Sequence, residues 1–521
     1  MVFKRGTVNR YDETTPNQLK SVMTKPGSAQ SMPATGENPS VASTSSDAPE
    51  STHLYELIAQ ELTQDIEQGL YLSGQKIPSV RKLSHKRGVS ISTVSQAYSL
   101  LEDRGIIQAK PQSGYFVKRP PMEITTVPPL SQGDTPSNVT KGHLIKQILA
   151  SCQLPSTVNF GAAIPDDAML PVRSMQTHLQ KLIRFNSTDI LNYQFSPGYE
   201  PLRQQIAQRM RNSGVRCHQD EIVITQGCTE ALNLCLRANT RRGDTIAVES
   251  PCYYGFLQIA EVLGLKVIEI PTDPNTGMSL EALKLALQEW SIKLVLLSTR
   301  FSNPTGCAMP KSKQQQLVEL INEYQIKAIE DDIYGELGYD NHHQTVLKTF
   351  DTQGRILYCS SFTKTVAPGL RVGWCIPGDS LEEVITLQTF NTLAVASLPQ
   401  CAMASFLQNG HYDKHLRQLQ RSARENCAFF INAILEAFPP GTLLSQPSGG
   451  YVVWVCLPGN IDALDVQKLA QQQDMAIMPG GVCSNTDHFD NYFRINFAMP
   501  WNARVKEAIG ELGKIVFSLL K

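Results

Sequence analysis

Ser360-Ser361-Phe362-Thr363-Lys364, followed seven residues on by Arg371-Val372-Gly373, is the stretch around which the rest of this chain falls into order. A lysine close behind hydroxyl residues, with an arginine one or two helical turns on, suits holding an aldehyde cofactor as a Schiff base. The arginine pairs with the cofactor's phosphate and the hydroxyls donate to it. Three stretches upstream serve the same ligand. Ile222-Val223-Ile224-Thr225-Gln226-Gly227-Cys228-Thr229-Glu230-Ala231-Leu232 reads as a strand running through glycine into a helix, and backbone N–H groups at such a helix start bind phosphate. Asn303-Pro304-Thr305-Gly306 is a turn after a strand-like run. In Glu330-Asp331-Asp332-Ile333-Tyr334 a carboxylate stands where it can keep a pyridine nitrogen protonated, making the ring an electron sink. Each turn alone is a weak signal; the four together, in this order, converge on one pyridine aldehyde phosphate.

The runs Glu221–Thr225, Thr245–Glu249, Leu294–Ser298, Lys327–Glu330 and Ile356–Cys359 are apolar and alternate with helical stretches. That pattern predicts an α/β domain with a mainly parallel sheet. The spacing predicts a short helix over Lys141–Ala150. From about residue 405 to 521 a helix-rich pattern with the strand Tyr451-Val452-Val453-Trp454-Val455 predicts a smaller α+β subdomain.

Upstream, residues 53–118 read as a separate unit. Leu54, Leu57, Ile58, Leu62 and Ile66 recur at helical spacing, and Gly69 closes the segment. Ser79 is placed to cap a second helix that Gly88 ends, and Ser90 to cap a third, with Val94, Ala97, Tyr98 and Leu101 on its apolar face and Gly105 as its stop. Ile106-Ile107-Gln108-Ala109 and Tyr115-Phe116-Val117 flank Pro111-Gln112-Ser113-Gly114 as a hairpin. Three helices and a hairpin make a winged helix-turn-helix. Between Lys76 and Lys118 eight basic residues face two acidic ones, in a chain whose net charge is −1. Bulk charge therefore excludes a polyanion binder, whereas this unit alone suits phosphate contacts on a duplex.

At 521 residues the chain exceeds one domain, which takes roughly 100–200 residues. Its 41% hydrophobic and 18% charged content is that of an ordinary globular protein. Residues 1–52, rich in Ser, Thr, Pro, Ala and Gly, are expected to be a disordered tail. Residues 119–140, with Pro120, Pro121, Pro128, Pro129 and Pro136, are expected to be a semi-extended linker, leaving 141–521 for the α/β body. Twelve scattered cysteines without a CxxC pair favour reduced, buried thiols in a cytosolic protein over disulfides or a zinc site; no metal is expected. No secretory signal or membrane span is evident.

The motifs Ile77-Pro78-Ser79-x-Arg81-x-Leu83, Val89-Ser90-x-x-Thr93-Val94-x-x-Ala97-Tyr98-x-x-Leu101 and Ser113-Gly114-x-Phe116-Val117 resemble the GntR family of bacterial regulators over the whole of 53–118. The resemblance implies that Arg81 contacts the DNA backbone or a base edge. It puts Ser90, Ser92 and Thr93 at the N-terminus of the recognition helix in the major groove, and Gly114 at the wing tip. The family often has arginine where this chain has Ile91, which can only pack on a thymine methyl, so operator sequence does not carry over.

From about Asn159 onward the chain resembles fold-type I aminotransferases, which bind pyridoxal 5′-phosphate; with the head attached it resembles the MocR-type members of the GntR family. The resemblance implies a mainly parallel seven-stranded sheet and a set of roles. Lys364 would form the Schiff base. Asp331 would pair with the pyridine nitrogen, with Asp332 the alternative. Asn303 and Tyr334 would bond the ring's phenolic oxygen and Tyr253 would stack on the ring. Gly227, Cys228 and Thr229, with Ser361 and Arg371, would hold the phosphate. Tyr193 would reach the phosphate of a neighbouring subunit, which implies a homodimer, expected head-to-tail with exchanged heads. Arg494 would clamp the α-carboxylate of an amino-acid ligand.

The expected function is a regulator that binds double-stranded operator DNA through its head and senses pyridoxal 5′-phosphate, alone or joined to an amine or amino-acid effector, through its body. A working aminotransferase with an auxiliary head is the alternative, and a cofactor store a third that no feature specifically supports.

Overall fold

The computed structural model describes residues 54–67, 71, 76–110, 114–118, 135–139, 141–152, 157–339, 345–408 and 410–520. The tail over 1–52, Gly69, Pro111-Gln112-Ser113 of the hairpin turn, and linker residues 119–134 and 140 lie outside the described residues.

In the head, α1 (Leu54–Glu67), α2 (Val80–Arg87) and α3 (Ile91–Asp103) precede the hairpin of β1 (Ile107–Lys110) and β2 (Gly114–Val117). The side chain of Ser79 accepts from Lys82 N at the start of α2, and that of Ser90 from Thr93 N at the start of α3, so each helix begins where a hydroxyl satisfies an orphan donor. Gly88, left-handed at φ 66°, ends α2. Leu62, Leu83, Val94, Tyr98 and Leu101 fill one small core. Tyr98 is a core residue, fully buried, with its hydroxyl donating to Pro78 O at 2.6 Å.

Beyond the head, β3 (Ser137–Asn138) and α4 (Gly142–Ser151) lead into β4 (Val158–Asn159), α5 (Val172–Phe185), α6 (Ser187–Leu191), β5 (Gln194–Phe195) and α7 (Glu200–Asn212). Alternation follows: β6 (Val223–Thr225), α8 (Cys228–Asn239), β7 (Thr245–Ser250), α9 (Tyr254–Leu263), β8 (Lys266–Asp273), β9 (Gly277–Met278), α10 (Leu280–Glu289), β10 (Ile292–Leu297), α11 (Lys311–Glu323) and β11 (Lys327–Asp331). Then come β12 (Ile356–Ser361), β13 (Gly373–Ile376), α12 (Leu381–Thr392), β14 (Ala394–Val395) and α13 (Ser397–Gln408). The chain ends with α14 (His411–Ala437), β15 (Leu443–Leu444), β16 (Val452–Cys456), α15 (Ala463–Gln471), β17 (Met475–Ala476), β18 (Met478–Pro479), β19 (Tyr492–Asn496) and α16 (Ala503–Leu519).

Seven strands form the main sheet in the order β8-β7-β10-β11-β12-β13-β6, with β3 and β9 added against β8. All pairings from β8 to β12 are parallel; β13 is antiparallel to both its neighbours. Side chains alternate across it. Ile246, Val248, Leu294 and Leu296 pack beneath α8 and α9, while Ala247, Val295, Leu297 and Ala328 pack beneath α10 and α11. Both faces are covered, which is why these strands read as unbroken apolar runs.

Two boundaries differ from the sequence reading. Ser137 and Asn138, placed in the linker, pair antiparallel with Val267 and Lys266, because the open edge of β8 offers unpaired backbone groups to an extended chain. The small subdomain is not purely C-terminal. α13 packs on α5, α6 and α7 of the large domain, and β4 pairs in parallel with β17. The four-stranded sheet β15-β16-β19-β18 and α14 to α16 therefore share a core with chain from far upstream, such as Phe160 against Phe430. Among the described residues no helix is long and apolar enough to cross a membrane.

Candidate functional site

The C-terminal ends of β10, β11 and β12 and the start of α8 meet at one cavity of about 260 Å³, where the ligand crevice of a parallel sheet is expected. Cys228, Thr229, Tyr253, Asn303, Asp331, Tyr334, Lys364, Arg371 and Arg494 all line it. Segments as far apart as α8 and β19 are thus brought to one point.

At the α8 end, Gly227 has φ 87°, and a Cβ there would lie 2.5 Å from Arg371 Nη2. With glycine at this positive φ the guanidinium keeps its place, where Nη2 donates to Gln226 O at 3.0 Å. Arg371 itself is left-handed at φ 53°. Ser361 is buried at the end of β12, where its Oγ accepts from Thr363 N, and it does not line the cavity. Thr363 does, and its buried Oγ1 has no partner.

Lys364 lies with Nζ 5.8 Å from the Tyr334 ring centre and donates to Ala163 O. Loss of hydration, and then the nearby Arg494 cation, push its ammonium down from 10.5 to about 8, against the opposing pull of Asp331. A useful fraction is then neutral amine near physiological pH, as a nucleophile requires. Asp331 accepts from the Cys228 thiol at 3.3 Å and from Ile333 N at 3.2 Å. Burial pushes its carboxyl up to about 6. Burial, followed by that same carboxylate, holds the Cys228 thiol well above its usual range, so the sulfur keeps its proton and donates.

Asp332 is spoken for. Arg300 Nε donates to its Oδ1 at 2.8 Å, Arg300 Nη2 to its Oδ2, and Tyr358 Oη to Oδ2 at 2.6 Å. Of the two adjacent carboxylates, Asp331 is the one lining the cavity.

Arg494, on β19, is 1% exposed. Its Nη1 donates to Asn303 Oδ1 at 2.8 Å and its Nη2 to Gly161 O, while Nε has no partner. Among the described residues no carboxylate pairs with it. A buried cation held only by neutral acceptors carries an unrepaid desolvation cost. The Tyr334 Oη, also buried, has no partner either. A partnerless phenol, a cation without an anion, a buried carboxylate and an arginine-lined helix start fit a ligand bearing a phosphate, an aromatic oxygen, a ring nitrogen and a carboxylate.

Tyr193 stands apart. It is 68% exposed and stacks on Phe195, and Leu191, Phe390 and Leu393 are exposed as well. The sequence reading missed Tyr254, Leu149, Thr363, and the Ala162-Ala163-Ile164 loop, which also line the cavity. Thr363 lay inside the quoted lysine motif and Tyr254 beside Tyr253; the loop and Leu149 carry no local signal, because long-range packing brings them in.

On the head, Arg81 is exposed on α2. Ser90 Oγ lies 2.7 Å from both Ser92 Oγ and Thr93 Oγ1, a knot of hydroxyls at the start of α3 beside Ile91, which is 55% exposed. Gly114, at φ 103°, opens β2. Arg87 pairs with Glu61 of α1 at 2.9 Å, so one of the head's cations is neutralised from outside the counted stretch. Among the described residues no group of three or more His, Cys, Asp or Glu side chains is placed to hold a metal, and all twelve cysteines are free and buried.

Residues 156–512 match the family described as aminotransferase class I and II, and residues 54–117 that of bacterial regulatory proteins, gntR family. The chain is similar to two uncharacterised HTH-type transcriptional regulators of Escherichia coli K12. It is 36% identical to YjiR, over 90% of this chain and 99% of the relative, and 36% identical to YdcR, over 89% and 98%. Among solved structures it is similar to the Pyrococcus horikoshii kynurenine aminotransferase, at TM-score 0.68 and 28% identity, over 73% of this chain and 95% of that one.

Proposed function

Because this chain belongs to the class I and II aminotransferase family and carries a gntR-family head, we propose that its body senses pyridoxal 5′-phosphate, or an adduct of it with an amine, and that occupancy alters operator binding by the head. The family is pyridoxal-phosphate-dependent, and a gntR-type head implies DNA binding. The observation that carries the reading is Arg494, a buried cation without an acid, across the same cavity as a lysine of lowered pKa.

When bound, the cofactor supplies an aldehyde and an electron-withdrawing ring. Lys364 offers the amine. Asp331 would pair with the ring nitrogen, Tyr334 and Asn303 would bond the phenolic oxygen, and Tyr253 would stack on the ring; all four line the cavity. The first turn of α8, through Gly227, Cys228 and Thr229, would supply backbone donors to the phosphate and Arg371 would flank it, while Ser361 stands outside the cavity lining. Arg494 fits the α-carboxylate of an amino-acid effector.

Aminotransferase-fold relatives are typically dimers. The exposed Leu191 and the exposed, stacked rings of Tyr193 and Phe195 support an interface that would bring Tyr193 to the partner's phosphate. We assign a head-to-tail dimer with exchanged heads; scattering from the full-length protein that fits only heads resting on their own bodies would discard the exchange.

The second reading is a working aminotransferase, favoured by the intact set of Lys364, Asp331 and Arg494 around one cavity. The deciding experiment measures binding to DNA from upstream of the protein's own gene, with apo protein, with cofactor, and with cofactor plus amino acids. A ligand shifts such an equilibrium only by its differential affinity for two arrangements. Sequence-specific binding that changes with ligand supports the regulator. Unchanged binding, together with many-turnover conversion of a keto acid, supports the enzyme.

A further inference from the structure

A second cleft, of about 360 Å³, shares no lining residue with the cofactor cavity. It lies where residues 168–171, leading into α5, cross the end of α13 and the start of α14. His411, Lys414, His415, Gln418 and Ser422 face it at helical spacing from one side of α14. Met169, Phe406 and Leu419 give it an apolar floor.

Among the described residues that line it none is acidic, and Lys414 has no acidic partner among the described residues. The acid of the same turn, Asp413, is bound to Arg209 at 2.8 Å. Lys414, with the imidazoles of His411 and His415 beside it, therefore stands at the positive end of a 27-residue helix, the end where a cation is ordinarily disfavoured; burial holds the His415 imidazole below its usual range, so the charge there is that of Lys414. An anion in the cleft would resolve that conflict.

The far sides of these bases are anchored. His415 Nε2 lies 2.7 Å from Thr365 O; a carbonyl only accepts, so Nε2 carries the hydrogen and donates. Thr365 is the residue after Lys364. His411 Nδ1 lies 3.0 Å from His178 Nε2, and His178 Nδ1 lies 2.8 Å from Ser405 Oγ, which ties the cleft to α5 and α13.

We propose that this cleft is a second ligand site, for a small carboxylate with an apolar body, and that its occupancy is transmitted to the Lys364 loop through His415 and Thr365. The binding step stands on the cleft alone; the transmission step rests on the cofactor reading above.

The test is calorimetric titration of the full-length, cofactor-loaded protein with phenylacetate, and with 2-phenylethanol as its uncharged counterpart. Removing a charge-assisted contact predicts that Lys414→Gln weakens phenylacetate about tenfold, while Arg494→Gln, which alters only the cofactor cavity, leaves it unchanged. Phenylethanol is expected to bind more weakly in the wild type and equally in both variants. Absence of phenylacetate binding, loss in Arg494→Gln but not in Lys414→Gln, or equal affinity for the alcohol overturns the site. In the same samples phenylacetate should shift the visible cofactor band in wild type, and the shift should disappear in His415→Phe. Binding with no band shift overturns the transmission step. A protein without any cofactor band in the absence of phenylacetate refutes the cofactor reading instead, and leaves the calorimetric arm to decide the cleft.

Discussion

Arg494→Gln separates the sensing of an amino acid from the holding of the cofactor. The guanidinium is 1% exposed, donates only to Asn303 Oδ1 and Gly161 O, and leaves Nε without a partner. A bidentate arginine–carboxylate pair in so dry a place, broken by removing one partner, costs about 2–4 kcal/mol, or roughly a thirtyfold to thousandfold loss of affinity. The loss should fall only on ligands that carry a carboxylate. Titrating cofactor-loaded protein with an amino acid and with butylamine, and following the visible absorbance, reads both. The amino-acid midpoint should rise by that factor and the butylamine midpoint stay within about twofold. Removing a cation that has no acid partner also relieves a desolvation cost, so the thermal midpoint of the ligand-free variant should hold or rise. Arg494 depresses the Lys364 ammonium, so in the variant that group should titrate at higher pH. Equal losses for both amines, or a destabilised protein with neither titration changed, would refute the carboxylate role and make Arg494 structural.

Lys364→Ala should abolish the visible band of the bound cofactor while leaving operator affinity of the ligand-free protein unchanged; identical spectra in mutant and wild type contradict the lysine assignment. The rate at which apo protein captures the cofactor should rise with pH as Lys364 sheds its proton. Its folded pKa is depressed to about 8, so the rise should level off above pH 8, measured by stopped-flow absorbance. A rate still climbing toward 10.5, the value of an ordinary lysine, would show that the amine is not perturbed. Arg81→Ala should weaken operator binding and lower the slope of log affinity against log salt by about one, measured by fluorescence anisotropy; an unchanged slope moves Arg81 off the interface.

The head was readable almost to the residue, because its signals are local. Ser79 and Ser90 cap and Gly88 stops, each within a few residues of what it controls, and Tyr98 lies on the apolar face that helical spacing marks on α3. The main sheet was readable for a different reason: strands buried on both faces stay apolar throughout. What escaped was set by contacts across the chain. Residues 137–138 look like linker until the free edge of β8 takes them up. Val158 and Asn159 join the small subdomain only through pairing with β17. The resemblance set Asp331 before Asp332; in the structure Arg300 and Tyr358 engage Asp332, and Asp331 is the carboxylate that lines the cavity. Pairing of Arg87 with Glu61 was hidden in the same way by a charge count that stopped short of α1.

The route from cavity to head is the step on which regulation depends, and α4 is built for it. It is the first helix after the linker, and it touches both halves of the body. Gly142 N donates to Glu261 Oε2 of α9 in the large domain at 3.1 Å, while Lys141 Nζ donates to Gly481 O at 2.8 Å and to Thr486 O at 3.1 Å in the small one. Ile145 and Ile148 pack with Trp454, Met478 and Val482. One turn on, Leu149 lines the cofactor cavity. A ligand that draws the two halves together must therefore strain or relax the helix from which the linker departs. Leu149→Ala removes the contact with the cavity but keeps both anchors. Losing a half-buried leucine side chain there costs about 1 kcal/mol, which is roughly a fivefold loss from a coupling that typically spans five- to 150-fold. Cofactor affinity, followed by absorbance, and operator affinity of the ligand-free protein should stay near wild type, while the ligand-induced change in operator affinity shrinks by that factor. An undiminished ligand response in Leu149→Ala would mean that the signal reaches the heads across the dimer interface and not along α4.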